Sequence, residues 1–156
     1  MSTQEIELIV QPMTINNLDA VLSNEMEAYS HPWSKGIFLD CLQSGYHCNV
    51  LYTQEKAVGH SVLMTVVNEA HLLNITIAPC FQGQGLGCYL LDVLIEHAKH
   101  LNATTMFLEV RESNHTAIAL YQRAGFNEVG IRKNYYPLAK GRENAVLMAL
   151  PLTSGG

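Results

Sequence analysis

The stretch that most constrains the fold is HLLNITIAPCFQGQGLGCYLL, residues 71–91. A β-rich run is stopped by Pro79, three glycines fall within five positions, and an amphipathic pattern begins at once. Leu86, Leu90, Leu94 and Ala98 recur at i, i+4, with Asp92, Glu96 and Lys99 elsewhere on the wheel. TTMFLEV, residues 104–110, is then a short apolar run of the kind expected for a strand covered on both faces. Strand, glycine turn, helix and strand together predict a right-handed parallel β-α-β crossover over residues 71–110.

The flanking sequence supplies the remaining elements. IELIVQ alternates as a first strand, and residues 14–29 place Leu18, Val21, Leu22 and Met26 at helical spacing, with Thr14 or Asn16 available as caps. A second helix follows Pro32, with Ser34 as its cap and Trp33 reading either as that helix's anchor, the preferred sense, or as part of a substrate cleft. HCNVLYTQ and AVGHSVLMTVV read as strands joined at Glu55-Lys56. HTAIALYQRAG is a helix closed by Gly125, and FNEVGIRKNYY and NAVLMALP are the last strands. The order β-α-α-β-β-β-α-β-α-β-β describes an α/β domain around a mixed sheet. One domain over residues 1–152 is expected, with a disordered tail at 153–156.

With 48% hydrophobic and 15% charged residues, the chain is expected to be a soluble globular protein. A net charge of −5 argues against a nucleic-acid surface and suits a basic protein or peptide partner. No run reaches membrane-helix length and no signal peptide is read, so a cytoplasmic protein is expected. Cys41, Cys48, Cys80 and Cys88 lack CxxC spacing and read as free thiols. The seven histidines show no ligand spacing, so no metal is inferred.

The glycine loop has two readings, a plain connection or a cradle of backbone N–H groups for an anion at a helix amino end. A P-loop is excluded because Gly-Cys stands where Lys-Ser/Thr is required, and a dinucleotide fingerprint because Cys88 replaces the third glycine. What remains is Gln82-x-x-Gly85-x-Gly87.

That pattern after ITIAP resembles the acetyl-CoA signature of the GNAT N-acetyltransferases. Residues 108–150, LEVRESNHTAIALYQRAGFNEVGIRKNYYPLAKGRENAVLMAL, are similar to the ribosomal-protein-alanine acetyltransferases within that superfamily, and HPWS at 31–34 adds to the likeness. The resemblance implies the GNAT fold, a mixed and mostly antiparallel sheet with one parallel crossover and flanking helices. It implies acetyl-CoA as cosubstrate and, as acceptor, the N-terminal alanine of a small-subunit ribosomal protein. It implies Glu109 as proton acceptor and Tyr121 as proton donor. Ile75, Thr76 and Ile77 would pair with the pantetheine arm, Gln82, Gly83, Gln84, Gly85, Leu86 and Gly87 would hold the pyrophosphate, and Asn114 would be a further cofactor contact. Tyr135, Tyr136 and Glu143 fall in the substrate-side segment. Two departures stand out: Cys88 where relatives often carry a basic residue, and Asn144 in REN where RED is common.

The chemistry bears independently on these residues. Acetyl transfer needs a neutral amine, a polarised thioester carbonyl and a proton for the leaving thiolate. An α-amine, with a pKa of roughly 7.7–8.0, is about a tenth neutral at pH 7, whereas a lysine near 10.4 is far less so. A carboxylate acting through water therefore suffices for an α-amine. Glu109 interrupts an apolar strand and shares a face with Arg111, so it reads either as that base or as an ion-pair partner of Arg111. Tyr121 reads either as a core residue beside Ala117, Ile118 and Leu120 or as a phenol able to protonate a thiolate. Residues 132–143 read either as a substrate loop or as a hairpin whose tyrosines cover a sheet edge. The thioester oxygen would take a backbone N–H from residues 75–77, with Asn74 as the alternative.

Overall fold

The computed structural model describes residues 7–153. The elements follow the expected order: β1 (Leu8–Pro12), α1 (Leu18–Ala28), α2 (Lys35–Gln43), β2 (His47–Thr53), β3 (Lys56–Val66), β4 (Glu69–Ile77), a 3-10 turn (Pro79–Phe81), α3 (Leu86–His100), β5 (Thr105–Arg111), α4 (His115–Ala124), β6 (Asn127–Pro137) and β7 (Arg142–Pro151). Seven strands form one sheet in the order β1-β2-β3-β4-β5-β7-β6. Antiparallel pairing joins β1 to β2, β5 to β7 and β6 to β7, and β4 and β5 form the expected parallel pair. The expected tail falls, from residue 154, outside the described residues.

The chain resolves into two compact units that share the strands β3 and β4. Among the described residues, one comprises 7–62 and 74–87, the other 63–73 and 88–153. In the first, Met13, Leu18, Val21, Phe38, Cys41, Cys48, Val50 and Val62 form the core. Trp33 packs on Phe38 with ring centroids 5.2 Å apart, which anchors α2 as expected. In the second, Met106, Leu108 and Val110 point inward from β5, and Tyr121, Phe126, Val146 and Met148 are buried with them or on neighbouring elements of that unit.

Several local details differ from the sequence reading. The first helix starts at Leu18 because Asn17 forms a turn: its side-chain oxygen accepts from the Thr14 N–H at 2.8 Å and its amide donates to the Pro12 carbonyl at 3.1 Å. Neither Thr14 nor Asn16 is the cap. Ser34 does cap α2, accepting from the Ile37 N–H at 3.3 Å. The β2–β3 connection is Gln54-Glu55, with φ of 50° and 64°, one residue earlier than expected. Two positive φ values in a two-residue loop match the twist of paired strands. Strand β5 alternates between buried and half-buried positions, so only one of its faces is fully covered. On α4 the fully buried residue is Tyr121, while Ala117, Ile118 and Leu120 are only half-buried.

Gly59 on β3 permits a close approach of the β4 backbone. A Cβ there would lie 2.8 Å from the Thr76 carbonyl oxygen and 2.8 Å from Ile77 Cδ1. The Ala78 N–H donates to the Val58 carbonyl at 2.8 Å, so backbone on both sides is held and cannot yield cheaply. Gly59→Ala is expected to destabilise the protein by about 1–3 kcal/mol, read as a lower urea midpoint with an unchanged m-value.

Candidate active site

Strand β4 positions the first group of residues. Its buried phase carries Ala70, Leu72, Asn74 and Thr76, so two polar side chains stand where apolar ones are expected. They are satisfied by Glu25, which occupies the buried stripe of α1 after Leu18 and Val21 and is 1% exposed. Its Oε1 accepts from His60 Nε2 at 2.9 Å, Asn74 Nδ2 at 3.1 Å and the Thr76 hydroxyl at 3.4 Å, and its Oε2 from the Trp33 N–H at 3.0 Å. Burial works to raise the Glu25 pKa, but the hydrogen bonds from His60, Trp33 and Asn74 outweigh it and hold the carboxyl below its ordinary value. Sequence reading missed this cluster. Its signal was an acid at i+7 from Leu18 on the apolar stripe, and two polar residues two apart in the inward phase of a strand.

The backbone of the same segment is arranged for exposure of one edge. The parallel register of β4 with β5 runs from Glu69↔Thr105 to Leu72↔Leu108, and residues 75–77 lie beyond it. The Ile75 carbonyl accepts from the Tyr29 hydroxyl at 3.1 Å, and the Ile77 carbonyl from Gln82 Nε2 at 3.0 Å. Side chains thus meet this edge where a ladder would. Gln82 begins the glycine loop, whose turns at Gly83 and Gly85 have φ of 79° and 80°. A Cβ at either would meet nothing within 4 Å, so these glycines are required for backbone conformation and not for space within the protein. The loop opens α3 at Leu86, with Gly87 in its first turn. Asn74, directed inward, is not placed as a donor to a thioester.

The second group lies on β5, β7 and β6. Cross-strand partners share a face, and the registers align Glu109 with Leu147 and Gly130, and Arg111 with Ala145 and Arg132. The small Ala145 lets the flanking arginines reach along that face. Glu109 is paired with Arg132, at 3.3 Å, instead of with Arg111. Arg111 instead donates to Glu143 at 3.0 Å and the Pro137 carbonyl at 2.9 Å, and lies 4.6 Å over the Tyr136 ring. The half-exposed Arg132–Glu109 pair is worth little energetically and leaves Glu109 available.

A register irregularity between Arg132 and Tyr136 suspends the alternation that would send successive tyrosines to opposite faces. Tyr135 and Tyr136 pack edge to face at 4.9 Å, and both sense Glu109. Burial, then the charge and a hydrogen bond of Glu109, raise the Tyr135 pKa. Burial and the charge of Glu109 push Tyr136 up to about 12. The tyrosines stand on strand β6 of the β6–β7 hairpin.

Tyr121 is buried on α4 with its ring 5.8 Å from that of Phe126. Asn114 caps the same helix, its side-chain oxygen accepting from the Ala117 N–H at 3.2 Å. Glu143 is engaged by Arg111 and by the Ser113 hydroxyl and N–H. Asn144 donates to Glu112 at 3.2 Å and accepts from the Asn134 N–H at 3.1 Å. An aspartate could accept the second bond but not donate the first, which gives the departure at this position a physical basis.

A model described as the acetyltransferase (GNAT) family matches residues 16–126. The chain belongs to that family. The ribosomal protein bS18-alanine N-acetyltransferase of Escherichia coli strain K12 is 41% identical over 145 residues, 92% of this chain and 97% of the relative. The crystal structure of the ribosomal-protein-S18-alanine N-acetyltransferase from Escherichia coli superposes with a TM-score of 0.89 at 39% identity, covering 96% of this chain and 97% of that one. A GNAT acetyltransferase from Elizabethkingia anophelis with acetyl-CoA bound matches at a TM-score of 0.76 and 25% identity, over 93% and 98% of the two chains. As a GNAT acetyltransferase the chain is an acyltransferase that uses acetyl-CoA. No helix among the described residues is long and apolar enough to cross a membrane.

The Glu25 cluster predicts how this GNAT domain responds to acid. The folded pKa of Glu25 lies below its unfolded value, so its stabilisation is fully present above the unfolded carboxylate range and is lost as pH falls through the folded value. Between about pH 5 and about pH 3 the wild type is expected to lose thermal stability more steeply than Glu25→Gln. Parallel melting-temperature profiles for the two proteins would contradict this.

Proposed function

We propose that this chain transfers acetyl from acetyl-CoA to the α-amine of the N-terminal alanine of ribosomal protein bS18, in the cytoplasm, by direct attack within a ternary complex. The observation that carries the reading is the Glu109 carboxylate. It is held on β5 by a weak ion pair and faced by two tyrosines that burial and its own charge keep protonated. The near-full-length likeness to the bS18-alanine enzyme of Escherichia coli supplies the acceptor.

In this reading Gln82, Gly83, Gln84, Gly85, Leu86 and Gly87 hold the pyrophosphate. Gly83 and Gly85 stand at positive φ just ahead of α3, whose amino end favours negative charge. The edge of residues 75–77 pairs with the pantetheine amides, and one of its N–H groups polarises the thioester carbonyl. Asn114 adds a cofactor contact through its amide nitrogen. Tyr135 and Tyr136 border the peptide's first residues. Glu143, bound by Arg111 and Ser113, shapes the segment by holding it to β5.

The acceptor amine loses its proton to Glu109 through water and attacks the thioester carbon. A tetrahedral intermediate forms and collapses, the carbon–sulfur bond breaks, and the Tyr121 hydroxyl protonates the departing thiolate. Because an α-amine is already about a tenth neutral at pH 7, Glu109 need not be an unusually strong base. A cysteine-bound acetyl intermediate fits less well. Cys41 and Cys48 are buried with raised pKa values, that of Cys48 reaching about 11, and such thiols are poor nucleophiles, while the exposed Cys88 opens α3 where the cofactor's phosphates would sit.

The assay presents acetyl-CoA with two peptides, read by mass spectrometry. One begins with a free alanine followed by basic residues and lacks lysine; the other has a blocked amino end and internal lysines. Acetylation of the first alone is expected, and acetylation of the second alone would reassign the enzyme to lysine. Glu109→Gln and Tyr121→Phe are each expected to lower kcat about 100-fold or more while acetyl-CoA binding, measured by calorimetry, changes little. Unchanged turnover in either variant would remove that residue from the mechanism.

A further inference from the structure

The Glu25 cluster ends at the protein surface in a single hydroxyl, and the direction of its hydrogen bonds is fixed from within. A carboxylate only accepts, so Asn74 turns its NH2 to Glu25 and its oxygen toward Thr76. The Thr76 hydroxyl, 2.7 Å from that oxygen and 3.4 Å from Glu25 Oε1, spends its one proton inward. Its lone pairs then face the Tyr29 hydroxyl at 2.9 Å. Tyr29 also spends its one proton on the protein, between Thr76 Oγ1 and the Ile75 carbonyl. Its phenol oxygen is therefore left as an acceptor.

Tyr29 itself is 38% exposed and sits just past α1 in extended conformation, so this oxygen stands at the edge of residues 75–77. The groups facing the cluster are Glu25 from α1 and His60 from β3, with neutral Asn74 and Thr76 from β4. Burial, and the charge of Glu25 behind it, raise the Tyr29 pKa above that of an ordinary phenol, with Thr76 opposing. The side chain is thus an uncharged acceptor in front of a fixed buried anion, an arrangement that suits a cationic or neutral N–H donor and disfavours an anion.

We infer that Tyr29 receives an N–H of the acceptor peptide's α-amino group, and that Glu25, Asn74 and Thr76 act as positioning residues that hold its oxygen in the accepting orientation. The inference rests on the function proposed above and adds to it a residue on the amine side. No proton transfer through the cluster is involved, because a carboxyl whose pKa is held low is a poor proton sink.

The test compares wild type, Tyr29→Phe, Thr76→Val and Thr76→Ser on the free-alanine peptide, with acetyl-CoA affinity measured separately by calorimetry. Tyr29→Phe is expected to raise the peptide KM about tenfold, the loss of one hydrogen bond to a charged group, and to shift acetyl-CoA affinity less than twofold. Thr76→Val is expected to raise peptide KM in the same direction, and Thr76→Ser to restore it, a rescue that loss of packing alone would not give. An unchanged peptide KM in Tyr29→Phe, or a weakened acetyl-CoA affinity in its place, would overturn the inference with the functional reading intact. A wild type that acetylates neither peptide would overturn both.

Discussion

A buried carboxylate organises the first unit of this fold. Glu25 draws donors from α1's own carboxyl-terminal connection and from two strands distant in sequence, β3 and β4. Leaving any of these donors, or the carboxylate, unpaired in a dry core would be costly. The four bonds to Glu25 therefore act as a register mark. They fix which residue of α1 lies over which residue of β4, and so how residues 74–77 are presented. Gly59 allows the same segment to lie against β3 without a side chain between. Packing brings the strands together and the polar cluster selects one alignment among those packing would tolerate.

The second unit reaches a functional arrangement by a different route. There the site is a product of strand register, with Glu109, Arg111, Arg132 and Glu143 brought to one face across β5, β7 and β6. The charges sort themselves by reach: Arg111 bonds Glu143 and stacks on Tyr136, and Arg132 is left for Glu109. The result is a carboxylate lightly held at its protein side, next to aromatic hydroxyls that do not compete with it as anions.

Much of this was legible from the chain alone. Proline and glycine punctuation located the elements, and the alternation of β5 correctly separated Glu109 and Arg111 from Leu108 and Val110. The reading was weaker where the deciding contact is distant. Arg132 as the partner of Glu109 requires knowing that β7 lies between β5 and β6, which no local pattern encodes. Glu25 was hidden for another reason: an acid on an amphipathic helix is ordinarily solvated, and only its coincidence with the stripe of Leu18 and Val21 marks it as buried. Asn74 and Thr76 carry the matching mark on β4. The start of α1 shifted because Asn17 competes for backbone groups that a helix would otherwise use.

Tyr29 and Gln82 have one more consequence through the carbonyls they bond. Residues 75–77 are a β-rich segment beyond the reach of their neighbour's ladder, and open backbone of this kind invites strands from other chains. Two side-chain donors, one from the end of α1 and one from the glycine loop, occupy alternate acceptors along it. A polypeptide attempting to add there would first have to displace both, whereas a slender ligand carrying two amides could slip alongside. The two bonds therefore make this edge a poor template for self-association.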